Sequence, residues 1–140
     1  MNDALLMTKF KNISDYAEKR TNELLKDYGL TAGQGRILMV LAMSESGSYS
    51  MSELKDIFKV SQPTEAGIVA RLEKKGDVEC FYEDYNKKRK KVRLTRQGKN
   101  IVESVGNKVL KIEDMVLGSL EEKEKAELVR LINKICEFNV

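Results

Sequence analysis

The chain has 140 residues, 41% hydrophobic and 34% charged, with 25 Lys and Arg against 22 Asp and Glu for a net charge of +3. This length suits a single domain that buries roughly 70% of the surface its unfolded form exposes, and the composition excludes both an acidic disordered chain and a membrane protein. With two cysteines and no histidine, neither a disulfide framework nor a zinc site nor imidazole acid–base catalysis is expected.

Apolar positions Leu6, Phe10, Ile13, Ala17, Leu24 and Tyr28 recur at or near three- and four-residue spacing, which predicts a long amphipathic helix ending at Gly29, a residue suited to a left-handed cap. Thr31 with Gln34 reads as a capping box for a buried second helix carrying Ile37, Leu38, Val40, Leu41 and Met43, which stops in a loop from Ser44 to Tyr49. Ser50 with Glu53 forms another box and opens a short helix bearing Met51, Leu54, Ile57 and Phe58. Lys59, Val60 and Ser61 then make a tight turn. Ser61 caps the next helix, Pro63 is tolerated in its first turn, Ile68, Val69 and Leu72 form its inner face, and Gly76 ends it.

The period then changes. Val78, Cys80 and Tyr82 alternate with Glu79, Phe81 and Glu83, and Val92 and Leu94 alternate with Lys91, Arg93 and Thr95, which predicts two half-buried strands. The run from Lys87 to Lys91 lies between them and is expected at the tip of a β-hairpin. From Thr95 a long helix places Ile101, Val105, Val109, Ile112 and Val116 on one face. Ser119 with Glu122 caps a last helix with Leu128, Leu131, Ile132, Ile135 and Phe138.

The charge is uneven: Arg71 to Lys99 holds eleven basic and five acidic residues, so the rest of the chain is net negative. A dense positive run points to a polyanion, or else to a solvated loop. The first ten residues lack the layout of a signal peptide and no segment approaches the roughly 18 apolar residues of a membrane span, so a cytoplasmic protein is expected. No Gly-x-Ser-x-Gly, phosphate loop or dinucleotide fingerprint occurs, and Gly33 and Gly35 fall inside a helical pattern, so neither an enzyme nor a bound cofactor is expected. Cys80 and Cys136 are read as small buried hydrophobes.

Two short helices with a tight turn, then a basic hairpin, describe a winged helix-turn-helix. The fold class expected is mainly α with a small β-hairpin wing, flanked by N- and C-terminal dimerisation helices. A single domain is divided at about residues 1–29 and 100–140 for the dimerisation helices and 31–98 for the winged-helix lobe. Apolar faces at both ends of the chain, with Leu6, Phe10, Ile13, Leu128, Leu131, Ile132 and Ile135, imply packing against a second copy, the alternative being that these helices fold back on their own core.

Leu30-Thr31, Gln34, Ile37-Leu38, Ser52-Glu53-Leu54, Val60-Ser61-Gln62-Pro63-Thr64, Ile68-Val69, Arg71-Leu72-Glu73-Lys74-Lys75-Gly76 and Val92-Arg93-Leu94-Thr95-Arg96-Gln97-Gly98 together resemble the MarR family of bacterial and archaeal transcription regulators, over about Leu30 to Val109. The resemblance implies a homodimer on a near-palindromic double-stranded operator, usually a repressor, and for many members release by a small aromatic ligand held between dimer helices and DNA-binding lobe. A protein–protein interaction module built on the same winged helix is the competing reading.

Ser61, Gln62, Pro63 and Thr64 match the start of the family's recognition helix, and Gln62 is expected to pair with adenine. Glu65 either accepts from a cytosine amino group or complements the helix dipole. Ala66, Gly67 and Ala70 continue the outward strip as small residues, which shifts specificity toward DNA shape. Arg71 either touches phosphate or braces Glu53 or Asp56. In the wing, Asn86 stands where members usually have aspartate, with Lys87 and Lys88 at the basic pair and Arg89 and Lys90 following, so the family's buttressing ion pair is lost or moved to Asp84. Tyr16, Arg20, Met39 and Met43 are expected to line an effector cleft.

Overall fold

The computed structural model describes residues 5–59, 62–83 and 85–137, with backbone alone at 62, 63, 86 and 87. Helix α1 (Leu6–Leu25) passes into a 3-10 turn (Lys26–Tyr28) that stops at Gly29, whose φ of 67° supplies the expected left-handed cap. The capping box of Thr31 and Gln34 opens α2 (Ala32–Ala42), and Ile37, Leu38 and Leu41 from this helix are almost wholly buried. Met43, expected among them, is instead 76% exposed because the helix has already ended. Gly35 is where α1 crosses α2: a Cβ there would lie 2.4 Å from a Leu25 methyl, so glycine permits the close approach.

The segment after α2 is not only a loop. Ser48–Ser50 forms a strand, β1, which pairs antiparallel with β3 (Asn86–Leu94), and β2 (Val78–Glu83) pairs on the other side of β3 in the order β1-β3-β2. Serines conceal β1 from an apolar-alternation search, but the hydroxyls of Ser44 and Ser46 both donate to the Ser48 carbonyl and fix its start. Between β1 and β2 lie α3 (Met51–Phe58), opened by the Ser50 and Glu53 box, and α4 (Gln62–Lys75). Lys59, with φ 54°, turns the chain out of α3. Val60 and Ser61, and with them the predicted Ser61 cap, lie outside the described residues, as do Asp84 and Phe138.

Leu25, Leu38, Leu41, Leu54, Val69, Leu72, Val78 and Val92 form one continuous core joining α1 to α4 and the sheet. Helix α5 (Arg96–Val116) begins at Thr95, whose hydroxyl accepts from the Gly98 N–H, and lays Val105 and neighbouring apolar side chains against that core. Helix α6 (Glu122–Ile135) starts two residues later than the predicted Ser119 cap, at Glu121, where the Glu124 carboxylate accepts from the Glu121 N–H at 2.9 Å. None of its residues is buried. The six helices with a small three-stranded sheet form a winged helix, and among the described residues no helix is long and apolar enough to cross a membrane.

Candidate nucleic-acid interface

Helix α4 turns Val69 and Leu72 inward, which leaves Thr64, Ala66, Ala70 and Arg71 exposed on the opposite side. A Cβ built on Gly67 would meet nothing within 4 Å, so the stretch of Ala66, Gly67 and Ala70 is bare of large side chains and open to a close neighbour. Gln62 and Pro63 stand in the first turn of the helix, and the base-reading role expected of the Gln62 side chain falls outside what is described.

Of the two roles expected of Glu65, contact with a cytosine is corrected: it is 1% exposed and neither carboxylate oxygen has a hydrogen-bond partner, while it does stand in the first turn of α4. Burial pushes its pKa up, with the charge of Lys55 opposing and that of Asp56 adding. The signal was in the spacing, since positions 65, 69 and 72 share one helical face.

Arg71 is exposed and no described residue makes a salt bridge or hydrogen bond with it, so the brace to Glu53 or Asp56 is absent. Glu53 is occupied elsewhere. Its carboxylate receives the Ser50 N–H and the Arg89 guanidinium, and although burial pushes its pKa up, the hydrogen bonds from Ser50 and Arg89 outweigh this and hold it low.

The wing differs from its expected layout. The basic run is not a loop between strands but most of β3 itself, and Tyr85 stands in the turn that precedes it. Strand pairing places Glu79 opposite Arg93 and Tyr82 opposite Lys90, with a register shift between Tyr82 and Glu83 that bends the tip. Arg93 bonds its cross-strand partner Glu79 at 2.5 Å and lies over the Phe81 ring, 4.2 Å from its centroid. Lys91 donates to Glu83 at 2.7 Å, with both side chains largely covered. This pair ties β2 to β3 near the tip, and Asp84, the other place expected for the buttressing ion pair, lies outside the described residues. Hydrogen bonds from Lys91 and Tyr85 pull the Glu83 pKa below the usual carboxylate range.

Three of the wing's cations, Arg89, Lys91 and Arg93, therefore hold internal carboxylates, and Lys88 and Lys90 are exposed. The Lys87 side chain is outside the described set. Lys88, Arg89 and Lys90 face Ser50 and Ser52 at the start of α3 and Ala66 of α4 across an open groove of about 560 Å³. A groove with a basic wall and a small-residue helix for its other wall suits a polyanion whose backbone is held by charge and whose edges meet the helix.

A second, mainly apolar cleft of about 540 Å³ lies between α1, α2 and α5. Met39 and Met43 line it as expected. Tyr16 and Arg20 do not: Arg20 belongs to a separate groove with Glu23 and Lys108. Residues not foreseen there are Ile13, Arg36, Phe58 and Val109, the last of which the amphipathic period of α5 would have flagged. Ile13 is 50% exposed, as are Leu6 at 48%, Leu131 at 42% and Ile135 at 55%, while Phe10, Leu128 and Ile132 are half-buried.

The cysteines also need correction. Cys136 is exposed, not buried, and Cys80 is half-buried with its N–H bonded to the Glu73 carboxylate. Burial and the hydrogen bond to Glu73 push the Cys80 thiol up to about 11, so it stays protonated and weakly nucleophilic at neutral pH.

No family model matches the chain. An uncharacterised HTH-type transcriptional regulator of Bacillus subtilis, YwoH, is 29% identical over 119 residues, 85% of each protein. Among solved structures, the MepR–DNA complex of S. aureus superposes with a TM-score of 0.83 at 21% identity, covering 93% of this chain and 95% of that one. A mutant MarR from E. coli complexed with operator DNA gives 0.78 at 24% identity, covering 96% of both.

Proposed function

We propose that the chain is a MarR-type winged helix-turn-helix transcriptional regulator, a homodimeric, sequence-specific repressor that binds near-palindromic double-stranded DNA. The observation that carries this reading is the groove between the bare outer strip of α4 and the lysines of β3. Its neighbours MepR and MarR have been solved bound to DNA, which supports the same partner here. Thr64 and Arg71, with Gln62 and Pro63 beside them, form the major-groove face, and Lys87, Lys88, Arg89 and Lys90 reach the backbone or the adjacent minor groove. With alanine and glycine along much of α4, specificity draws heavily on DNA shape.

The dimer interface in this reading joins residues 1–29 of each chain to residues 100–140 of its partner, around the lobe formed by 31–98. Helix α6 supports it, because Val129, Leu131 and Ile135 remain exposed among the described residues. The protein acts by binding rather than by catalysis, in the cytoplasm where the chromosome lies. A small aromatic ligand in the apolar cleft would touch α1, α2 and α5 and also Phe58 at the end of α3, so occupancy can shift the DNA-binding lobe against the dimer helices.

Selection from a pool of random duplexes by the purified protein tests the proposal. The expected product is a near-palindrome with half-sites about one helical turn apart. Recovery of no enriched sequence contradicts sequence-specific binding and moves the search to protein partners.

A further inference from the structure

Three elements from different parts of the molecule meet at one polar cluster. Lys75, the last residue of α4, sends its Nζ to the backbone carbonyls of Tyr28 and Gly29 at 2.8 and 2.9 Å, which covers the end of α1 and its 3-10 turn. The same ammonium stands 3.8 Å from the carboxylate of Asp77, a side chain with no exposure at all. Asp77 Oδ1 accepts from Gln97 Nε2 of α5 at 2.7 Å, and that amide also donates to the Lys75 carbonyl at 3.0 Å. Asp77 Oδ2 has no hydrogen bond, so the ammonium of Lys75 is what answers its charge.

The backbone closes around this cluster. The Thr95 N–H donates to the Asp77 carbonyl at 3.1 Å, and the Thr95 hydroxyl donates to the Gly76 carbonyl. Gly98 fits so tightly that a Cβ there would stand 2.1 Å from the Asp77 carbonyl oxygen. Apolar packing between lobes resists separation but is non-directional, whereas charge-assisted hydrogen bonds anchored on the buried Asp77 fix an angle.

We propose that Lys75 and Asp77 are positioning residues that hold the recognition helix at a set angle to α1 and α5, and thereby set the distance at which two copies present their recognition helices to DNA. The inference rests on the homodimeric DNA-binding reading for its second half only. Lys75→Met removes the ammonium while keeping a stem of similar length, Lys75→Arg restores a cation, and Asp77→Asn keeps the bond to Gln97 while removing the charge.

Two measurements decide it. The first is the spin-label distance between positions 70 and 108 of one chain, without DNA, with Cys80 and Cys136 replaced by serine and labelled chains diluted into unlabelled ones. The second is affinity for a selected two-half-site duplex compared with a single half-site of equal length. In Lys75→Met and Asp77→Asn the distance distribution is expected to broaden about twofold, and two-half-site affinity to fall about tenfold while half-site affinity changes less than about twofold; Lys75→Arg is expected to recover most of the loss. An unchanged distribution overturns the proposal, as does an equal loss on both duplexes or an unchanged preference between them. If the wild type binds neither duplex, the repressor reading fails and the distance alone decides whether the cluster sets the angle.

Discussion

Gly67 sits in the interior of the helix that faces the groove, with open space where a side chain would stand. Glycine in a helix interior costs about 1 kcal/mol relative to alanine, so Gly67→Ala is expected to stabilise the free protein by about that much in urea unfolding. If DNA approaches as closely as the bare strip allows, the same change weakens operator binding while raising the melting temperature. Glu65 makes the opposite kind of prediction. Its folded pKa lies above its unfolded one, so the folded state holds the extra proton, and stability falls as pH rises from the ordinary carboxylate range through the folded value. Glu65→Gln is expected to be more stable than wild type at pH 8, with the gap closing by about pH 4; a gap constant across that range would mean the carboxyl is not titrating in its buried place. Neither residue's setting is visible in composition. The inward turn of Glu65 can be read from its spacing with Val69 and Leu72, but a glutamate on an apolar face reads first as a surface residue, because burial of carboxylates is rare.

At the scale of elements, the wing depends on Glu83 and Lys91. Glu83 is held below the usual carboxylate range by hydrogen bonds from Lys91 and Tyr85, so its stabilising contribution is present above that range and is lost as pH falls through the folded value. Lys91→Met is expected to speed amide exchange in β2 and β3 at neutral pH and to abolish its further rise in acid, with α5 unaffected. Lys88 and Lys90 are exposed on β3 and line the groove opposite α4, so in the proposed complex they lie where the DNA backbone passes. Replacing both by alanine is expected to reduce the slope of log affinity against log salt by about 2, near 0.9 for each phosphate that is no longer neutralised. The helices and the Thr31–Gln34 and Ser50–Glu53 boxes were legible because periodicity and capping are local signals, whereas the Ser119–Glu122 spacing misplaced the start of α6, which is capped by Glu121. The strand β1 and the true extent of β3 were not, since a serine-rich strand and a five-residue basic run carry no apolar alternation, and their pairing is settled only by distant partners.

For the whole molecule, α6 poses the main question, because none of its residues is fully buried and Val129, Leu131 and Ile135 stay exposed. Leu131→Glu with Ile135→Glu is expected to leave the winged-helix lobe folded, shift the sedimenting species to half its mass, and lower operator affinity by about a hundredfold or more, as one half-site replaces two. A lobe that unfolds with these changes would mean that the helix is part of a single-chain core. The measurement that bears most directly on the proposed repressor is fluorescence-anisotropy titration of DNA from the protein's own upstream region, against scrambled DNA of equal length, at low and moderate salt. The expected result is a salt-sensitive preference for the upstream fragment that falls when Lys87, Lys88 and Arg89 become alanine. Equal binding of both fragments, or binding to neither at low salt, would contradict a sequence-specific DNA-binding role.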